Sequence, residues 1–305
     1  MFFRNLSLFR FSSATANQLD SLEEALNRHR LHPLGPMDLS THGFVPPLGR
    51  DTEVLTHTVG NCQMFTLGSE DKLLPAAVVN EELAHRVQKI VGLEGRAIGA
   101  RERQRLKQDV LDELLPRAFA RPTRLSAYLD IQHGWAVFDT ASHKAAEMAL
   151  SALREALGSF PALPLAAEHA PRLRLTEWLT SAQLPDALQL DEECELRDPA
   201  GQTAAVVRCR HQDLSSNEVH EHLRAGKQVS QLGLVFDERL AFVLGEDLVV
   251  RKLRFLDSVQ DELDTQSLDS LAEELDARFA LMTLELDRFL RQFASWFGVP
   301  RPAED

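Results

Sequence analysis

Cysteine is scarce in this chain of 305 residues. Cys62, Cys194 and Cys209 are the only three, and no two of them form a CxxC pair. An odd count with that spacing argues against a disulfide framework and against a zinc site. Reduced, buried thiols in a cytoplasmic protein are the expectation. Long apolar runs are also missing. The apolar start, residues 1–11, is broken by Arg4, Asn5 and Arg10. It has no signal-peptide core and falls short of the roughly 20 residues that a membrane helix needs. It is expected to form a strand, and no membrane partner is expected. No P-loop is present: Gly92-Leu93-Glu94-Gly95 lacks the Lys-Ser/Thr that would follow it, and its context is poor for a GxxG nucleic-acid loop. The eleven histidines are scattered, and His220 and His222 do not share a helical face. Neither a cofactor nor a metal is called for.

Positive charge is short as well. Lys and Arg number 33 against 46 acids, a formal net charge of -13. A chain so acidic does not coat nucleic acid over its whole surface, so any polyanion site must be local. Residues 257–287 hold ten acids and one base, Arg278, which concentrates most of the net charge near one end.

Against that background, residues 96–124 are the densest basic stretch, with eight Arg or Lys against four acids. Leu106, Val110 and Leu114 recur at i, i+4, i+8 and predict a helix with one apolar stripe. Arg101 and Arg105 stand about half a turn from that stripe, towards solvent. Pro116 is expected to end the helix. Beyond it, Arg117, Phe119 and Arg121 form a tip that pairs guanidinium with an aromatic ring, a combination suited to a polyanion with flat bases. The alternative is a solvated helix carrying pairs such as Arg105 with Asp109, with Phe119 packed inward.

The rest of the chain alternates between strand and helix. A helix over Leu19 to Leu26 stops at His32-Pro33, and Gly43 to Gly49 forms a stiff turn. Residues 55–58 and 63–67 predict a hairpin. A helix from Pro75 reaches Gly92, strands resume at 124–129 and 135–138, and a helix over 144–157 ends at Gly158. After the proline-bearing stretch 160–171 the pattern becomes mostly β: 172–179, 193–196, 203–209, 229–236, 239–244 and 248–255. One helix, 216–223, interrupts it. The last helix, 267–297, carries apolar residues at alternating threes and fours from Leu268 to Trp296. These readings predict an α+β protein. Residues 1–74 and 122–165 form a mixed α/β central part, 75–121 a helical finger, and 166–305 a β-rich base with a long C-terminal helix.

A second basic set falls in the β-rich half: Arg208, Arg210 and His211-Gln212 at a strand end, and Arg224 and Lys227 around a glycine. Positions 208 and 210 share one strand face. Such groups meet phosphates without reading bases. A nuclease-like pattern, Asp51 with Glu70-Asp71-Lys72, imitates the acids and lysine that hold magnesium and orient a water. A scaffold binding other proteins through its C-terminal helix is a third reading.

Several motifs together resemble the bacterial RdgC family of recombination-associated proteins. They are Gly43-Phe44-Val45-Pro46-Pro47-Leu48-Gly49, Leu55-Thr56-His57-Thr58, Leu114-Leu115-Pro116-Arg117-Ala118-Phe119, Leu175-Thr176-Glu177-Trp178, Gln212-Asp213-Leu214, Gly226-Lys227 and Leu281-Met282-Thr283. The resemblance implies a non-enzymatic, nucleoid-associated protein that binds DNA with little sequence preference. It further implies a ring-shaped homodimer with duplex DNA in a basic central hole, and restraint of RecA-type recombinases by occupying the DNA, single strands included. Carried over to this sequence, Arg117 and Phe119 sit where one end of the ring closes, Phe119 as the dimer contact. Lys72, Gln212 and Lys227 face the hole. His211 stands where the resemblance leads one to expect a lysine, and Arg208 or Arg210 would compensate.

Overall fold

The computed structural model of the chain describes residues 2–49, 52–199, 205–264 and 270–303. Alternating apolar residues build two antiparallel sheets. The first takes β1 (Ser7–Arg10), β2 (Ser40–Val45), β3 (Thr56–Val59), β4 (Cys62–Leu73), β5 (Phe119–Asp130), β6 (Trp135–Phe138) and β7 (Leu163–Pro164). Their order is β2-β4-β5-β6-β1-β7, with β3 paired to β4. The helices α1 (Ser13–Ala16) and α2 (Leu22–Asn27) follow β1. Two more, α3 (Ala76–Glu94) and α4 (Ala100–Leu114), leave the sheet between β4 and β5, and α5 (His143–Leu157) follows β6. Ser142 caps α5 by accepting from the Ala145 N–H, and Gly158 closes it at φ 76°.

The helix α6 (Pro171–Ser181) leads into the second sheet, where β8 (Leu188–Arg197), β9 (Val206–Arg210), β10 (Gln228–Phe236), β11 (Leu240–Gly245) and β12 (Val250–Phe255) lie in the order β12-β11-β10-β8-β9. The helix α7 (Asn217–Arg224) joins β9 to β10, and α8 (Asp257–Asp264) and α9 (Leu271–Phe297) follow β12. The architecture is therefore mixed α and β with two antiparallel sheets.

Alternation gives the first sheet two apolar faces, each with its own cover. Phe65, Leu67, Ala127, Leu129 and Phe138 pack against Leu22 and Leu26 of α2 and Ala146, Leu150 and Leu153 of α5. Met64, Tyr128 and Val137 face the other way, into a core shared with α9 and the second sheet. The i, i+3/i+4 stripe of α9 meets both: Phe279 lies 6.1 Å from Tyr128, and Phe289 lies 5.0 Å from Phe242, ring to ring. Leu290 widens the stripe as expected, whereas Leu271 and Leu284 are exposed; Leu268 lies outside the described residues. Backbone bonds reinforce the joint. The N–H groups of Leu6 and Val250 each donate to the other's carbonyl, at 2.8 and 3.0 Å.

The antiparallel pair β4–β5 is the longest element pair, in register from Cys62↔Asp130 to Leu73↔Phe119. Twelve residues span about 40 Å. Only the half near Cys62 is buried, and Phe119 to Arg124 are exposed. The distal half is an arm beyond the core, and α3 and α4 extend from its end. Gly43 holds the base of this arm. A Cβ there would meet the Leu31 nitrogen at 2.4 Å, so only glycine lets segment 29–31 lie against β2.

Three expected elements differ. Gly43 to Val45, expected in a turn, end strand β2, because they pair with Thr66 to Gly68 of β4. Residues 172–179 form helix α6, not a strand, because Leu175, Trp178 and Leu179 at i, i+3, i+4 are the buried set and Pro171 opens the first turn. Phe119 does not lie in a loop. It begins β5, since Pro116 ends α4 in a short 3₁₀ turn, Leu115–Arg117, that returns the chain to the sheet.

Candidate nucleic-acid interface

The arm carries the first set of predicted residues. Arg101, Arg103, Arg105 and Lys107 are all exposed on α4. Among the described residues no carboxylate lies within ion-pair distance of any of the four, and the i, i+4 pair of Arg105 with Asp109 does not form. The apolar stripe of α4 turns inward through Val110, which is fully buried. The helices are held together by other charges: Arg86 of α3 bonds Glu82 and reaches Glu113 of α4, and Arg96 clasps Glu94 and Glu102 at 2.7 Å. These bonds raise the Arg86 and Arg96 pKa values, with Glu113 and Glu102 the largest causes.

Around the end of β5, Phe119 is 83 % exposed and faces Leu73, 46 % exposed, across the ribbon. Phe119 is the most exposed large apolar side chain among the described residues. Arg117 is exposed in the turn before it, and Arg121 is exposed opposite Asp71. Lys72 stands on the other ribbon face, and its Nζ donates to the Ala118 carbonyl at 3.3 Å. Asp51 lies outside the described residues. Glu70 shares a ribbon face with Lys72, and Asp71 points to the opposite face.

The second set lies on the edge strand β9 and around α7, with no hydrogen bond or ion pair to the arm among the described residues. All of its basic side chains but Lys227 already face a carboxylate. Arg208 Nε bonds Glu195 at 2.6 Å, and Arg210 lies 3.5 Å from Glu193. Lys252 binds the same Glu193 at 2.5 and 2.7 Å. His211, in a left-handed turn at φ 53°, sits 4.0 Å from Glu192. Gln212 donates to Glu218 at 2.8 Å, and Arg224 lies 3.8 Å from Glu221. Lys227 follows Gly226, partly exposed, without an ion pair among the described residues.

Glu195 is the pivot of this face. Burial alone would raise its pKa, but bonds from Arg208, Ser230 and Arg197 outweigh that and hold it below the ordinary 4.5. A carboxylate with a lowered folded pKa stabilises the fold above its unfolded value, and that contribution fades as pH falls through the folded value. Glu195→Gln should therefore cost about 2 kcal/mol at neutral pH. The gap to the parent should narrow in urea unfolding below pH 4.5. A gap constant with pH would contradict this assignment.

One grouping was not visible in the sequence. His133 Nδ1 lies 2.9 Å from Asp130 and 3.2 Å from Asp287, and Arg291 Nε reaches the same Asp287 oxygen at 3.0 Å. The Cys62 thiol beside it is pushed up to about 12 by burial and by these two carboxylates. Asp130 pairs with Cys62, at the opposite end of the ribbon from Lys72, so the cluster does not complete the nuclease-like pattern.

A family model described as "Putative exonuclease, RdgC" matches residues 1–300. The chain belongs to the RdgC family. It is 50% identical over 289 residues to the recombination-associated protein RdgC of Xanthomonas campestris pv. campestris (strain B100), covering 94% of this chain and 95% of that protein. The namesake of Xylella fastidiosa (strain 9a5c) is 48% identical over 290 residues, with the same coverage of both chains. RdgC relatives bear a recombination name, whereas the family description carries an exonuclease name. Among the described residues no helix of this RdgC-family chain is long and apolar enough to cross a membrane.

Proposed function

We propose that this chain is a DNA-binding protein of the nucleoid that acts in recombination without catalysis. Two copies close into a ring around duplex DNA, hold it by its phosphates without reading sequence, and restrain RecA-type recombinases by occupying the DNA. The observation that carries the reading is the row of exposed cations on α4, unpaired among the described residues, in a chain that pairs most of its other arginines with its abundant acids. Cations without intramolecular partners release counterions when phosphates replace water, and that release drives sequence-independent binding. The units of the ring follow the sequence division: the central part (1–74 and 122–165), the finger (75–121) and the base (166–305).

Phe119 and Leu73 form the closing contact between fingers, with Arg117 and Arg121 beside them. Lys72, Gln212 and Lys227 line the hole, and Arg208, Arg210, His211 and Arg224 add the basic wall of the base. Gln212 and the two strand arginines must exchange their carboxylate partners for phosphates, so they contribute less than the α4 set.

Phe119→Ser should lower duplex affinity about tenfold through loss of closure and leave the thermal unfolding curve unchanged, because the ring is exposed. Anisotropy titration checks the first point and circular dichroism the second. Unchanged affinity would remove closure at this site. Incubating supercoiled plasmid and linear duplex with protein and magnesium separates the nuclease reading, since nicking or degradation from the ends that is lost in Glu70→Gln would support catalysis.

A further inference from the structure

The two cysteines of the second sheet lie opposite one another. Cys194 of β8 and Cys209 of β9 are register partners, so their side chains leave the same face of the strand pair. Directly opposed residues in an antiparallel pair have Cα separations of about 4.5 or 5.5 Å, and both values fall inside the range a disulfide spans. All three cysteines of the chain are free thiols. The pair differs in access: Cys194 is 1 % exposed, whereas Cys209 is 9 % exposed on the sheet's edge strand.

We propose that Cys194 and Cys209 are a redox modification site at which hydrogen peroxide forms a reversible cross-strand disulfide. The Cys209 thiolate attacks one peroxide oxygen. The O–O bond breaks, the sulfur becomes a sulfenic acid, and the leaving hydroxide takes up a proton as water. The Cys194 sulfur, directly opposite on β8, then attacks the sulfenic sulfur. The S–O bond breaks, its oxygen leaves as a second water with the Cys194 proton, and the S–S bond forms. Two thiols lose two electrons and one peroxide gains them. A dithiol reductant reverses the step by exchange, as befits a cytoplasmic disulfide.

The bond would clip β9 to β8, its sole strand partner among the described residues. The other face of β9 carries Arg208 and Arg210, so the clip fixes the strand that presents those cations. This inference stands on the register and the exposure of the edge-strand cysteine, independent of what the cations bind.

The native chain is treated with hydrogen peroxide, quenched, unfolded and alkylated. Free thiols should fall from three to one per chain. Mass spectrometry should find the Cys194 and Cys209 peptides joined, lighter than their sum by two hydrogens, with Cys62 alkylated. Dithiothreitol should restore all three. Cys62→Ala should keep the linked pair and Cys194→Ala should abolish it. Three surviving thiols, a Cys209 sulfinic acid without linkage, or a disulfide through Cys62 would each overturn the proposal.

Discussion

Replacing Arg101, Arg103, Arg105 and Lys107 together by alanine should weaken duplex binding on the order of a hundredfold at low salt and flatten its salt dependence. Each cation that neutralises a phosphate adds about -0.9 to the slope of log K against log salt, so the slope should become shallower by roughly 3 to 4. All four side chains are exposed and none holds an ion partner among the described residues. Their removal therefore leaves no carboxylate stranded and no cavity behind. The fold should be unaffected, since Val110 stays buried and the Arg86 and Arg96 clasps remain. Arg208→Ala with Arg210→Ala is the informative contrast. Those guanidiniums begin in contact with Glu195 and Glu193, so binding phosphate there first breaks an ion pair. That double variant should lose less affinity and should lose stability instead, because Glu195 is left buried with one partner fewer. Equal effects of the two variants on affinity would mean that ion pairing does not sort the cations of this chain.

Phe289→Ala should be the most damaging single core change, costing about 4 kcal/mol. The ring is fully buried and sits 5.0 Å from Phe242, 5.8 Å from Phe236, 5.7 Å from Phe293 and 6.0 Å from Trp296. These neighbours come from two strands of the second sheet and from α9 itself. Because α9 also carries Phe279 against Tyr128 of the first sheet, loosening one side of the helix loosens the other. Urea unfolding followed by tryptophan fluorescence should therefore show a single transition at lower denaturant, with Trp135 of the first sheet and Trp178 and Trp296 near the second reporting together. Two separated transitions would show that the sheets are independent units, and that the shared core holds less than its burial implies.

What could be read in advance follows how local the deciding interaction is. The stop at Pro116, the cap at Gly158 and the part of the α9 stripe from Phe279 to Trp296 are written in spacing over a few residues, and each formed where expected, whereas Leu271 and Leu284 stay exposed. Helix α6 was misread because Arg172-Leu173-Arg174-Leu175-Thr176 alternates like a strand. The helix leaves Leu173 58 % exposed, and the buried trio 175, 178 and 179 shows only once α9 and β10 lie beside it. The start of β5 was hidden for another reason. Residues 119–124 have no apolar alternation and contain Pro122, and they are strand only because β4 pairs with them along its whole length. The cations were visible as composition, but their partners were not. Glu193 and Glu195 answer Arg210 and Arg208 across a strand pair, while the local candidate, Asp109, leaves Arg105 alone.

The most direct test of DNA binding through a sequence-independent cationic surface is fluorescence anisotropy of a labelled random-sequence duplex, titrated with the full chain across a salt series. The account predicts binding at low salt, a steep linear fall of log K with log salt, and the same curve for an unrelated sequence. No binding at the lowest salt, or affinity that differs strongly between sequences and hardly responds to salt, would contradict it.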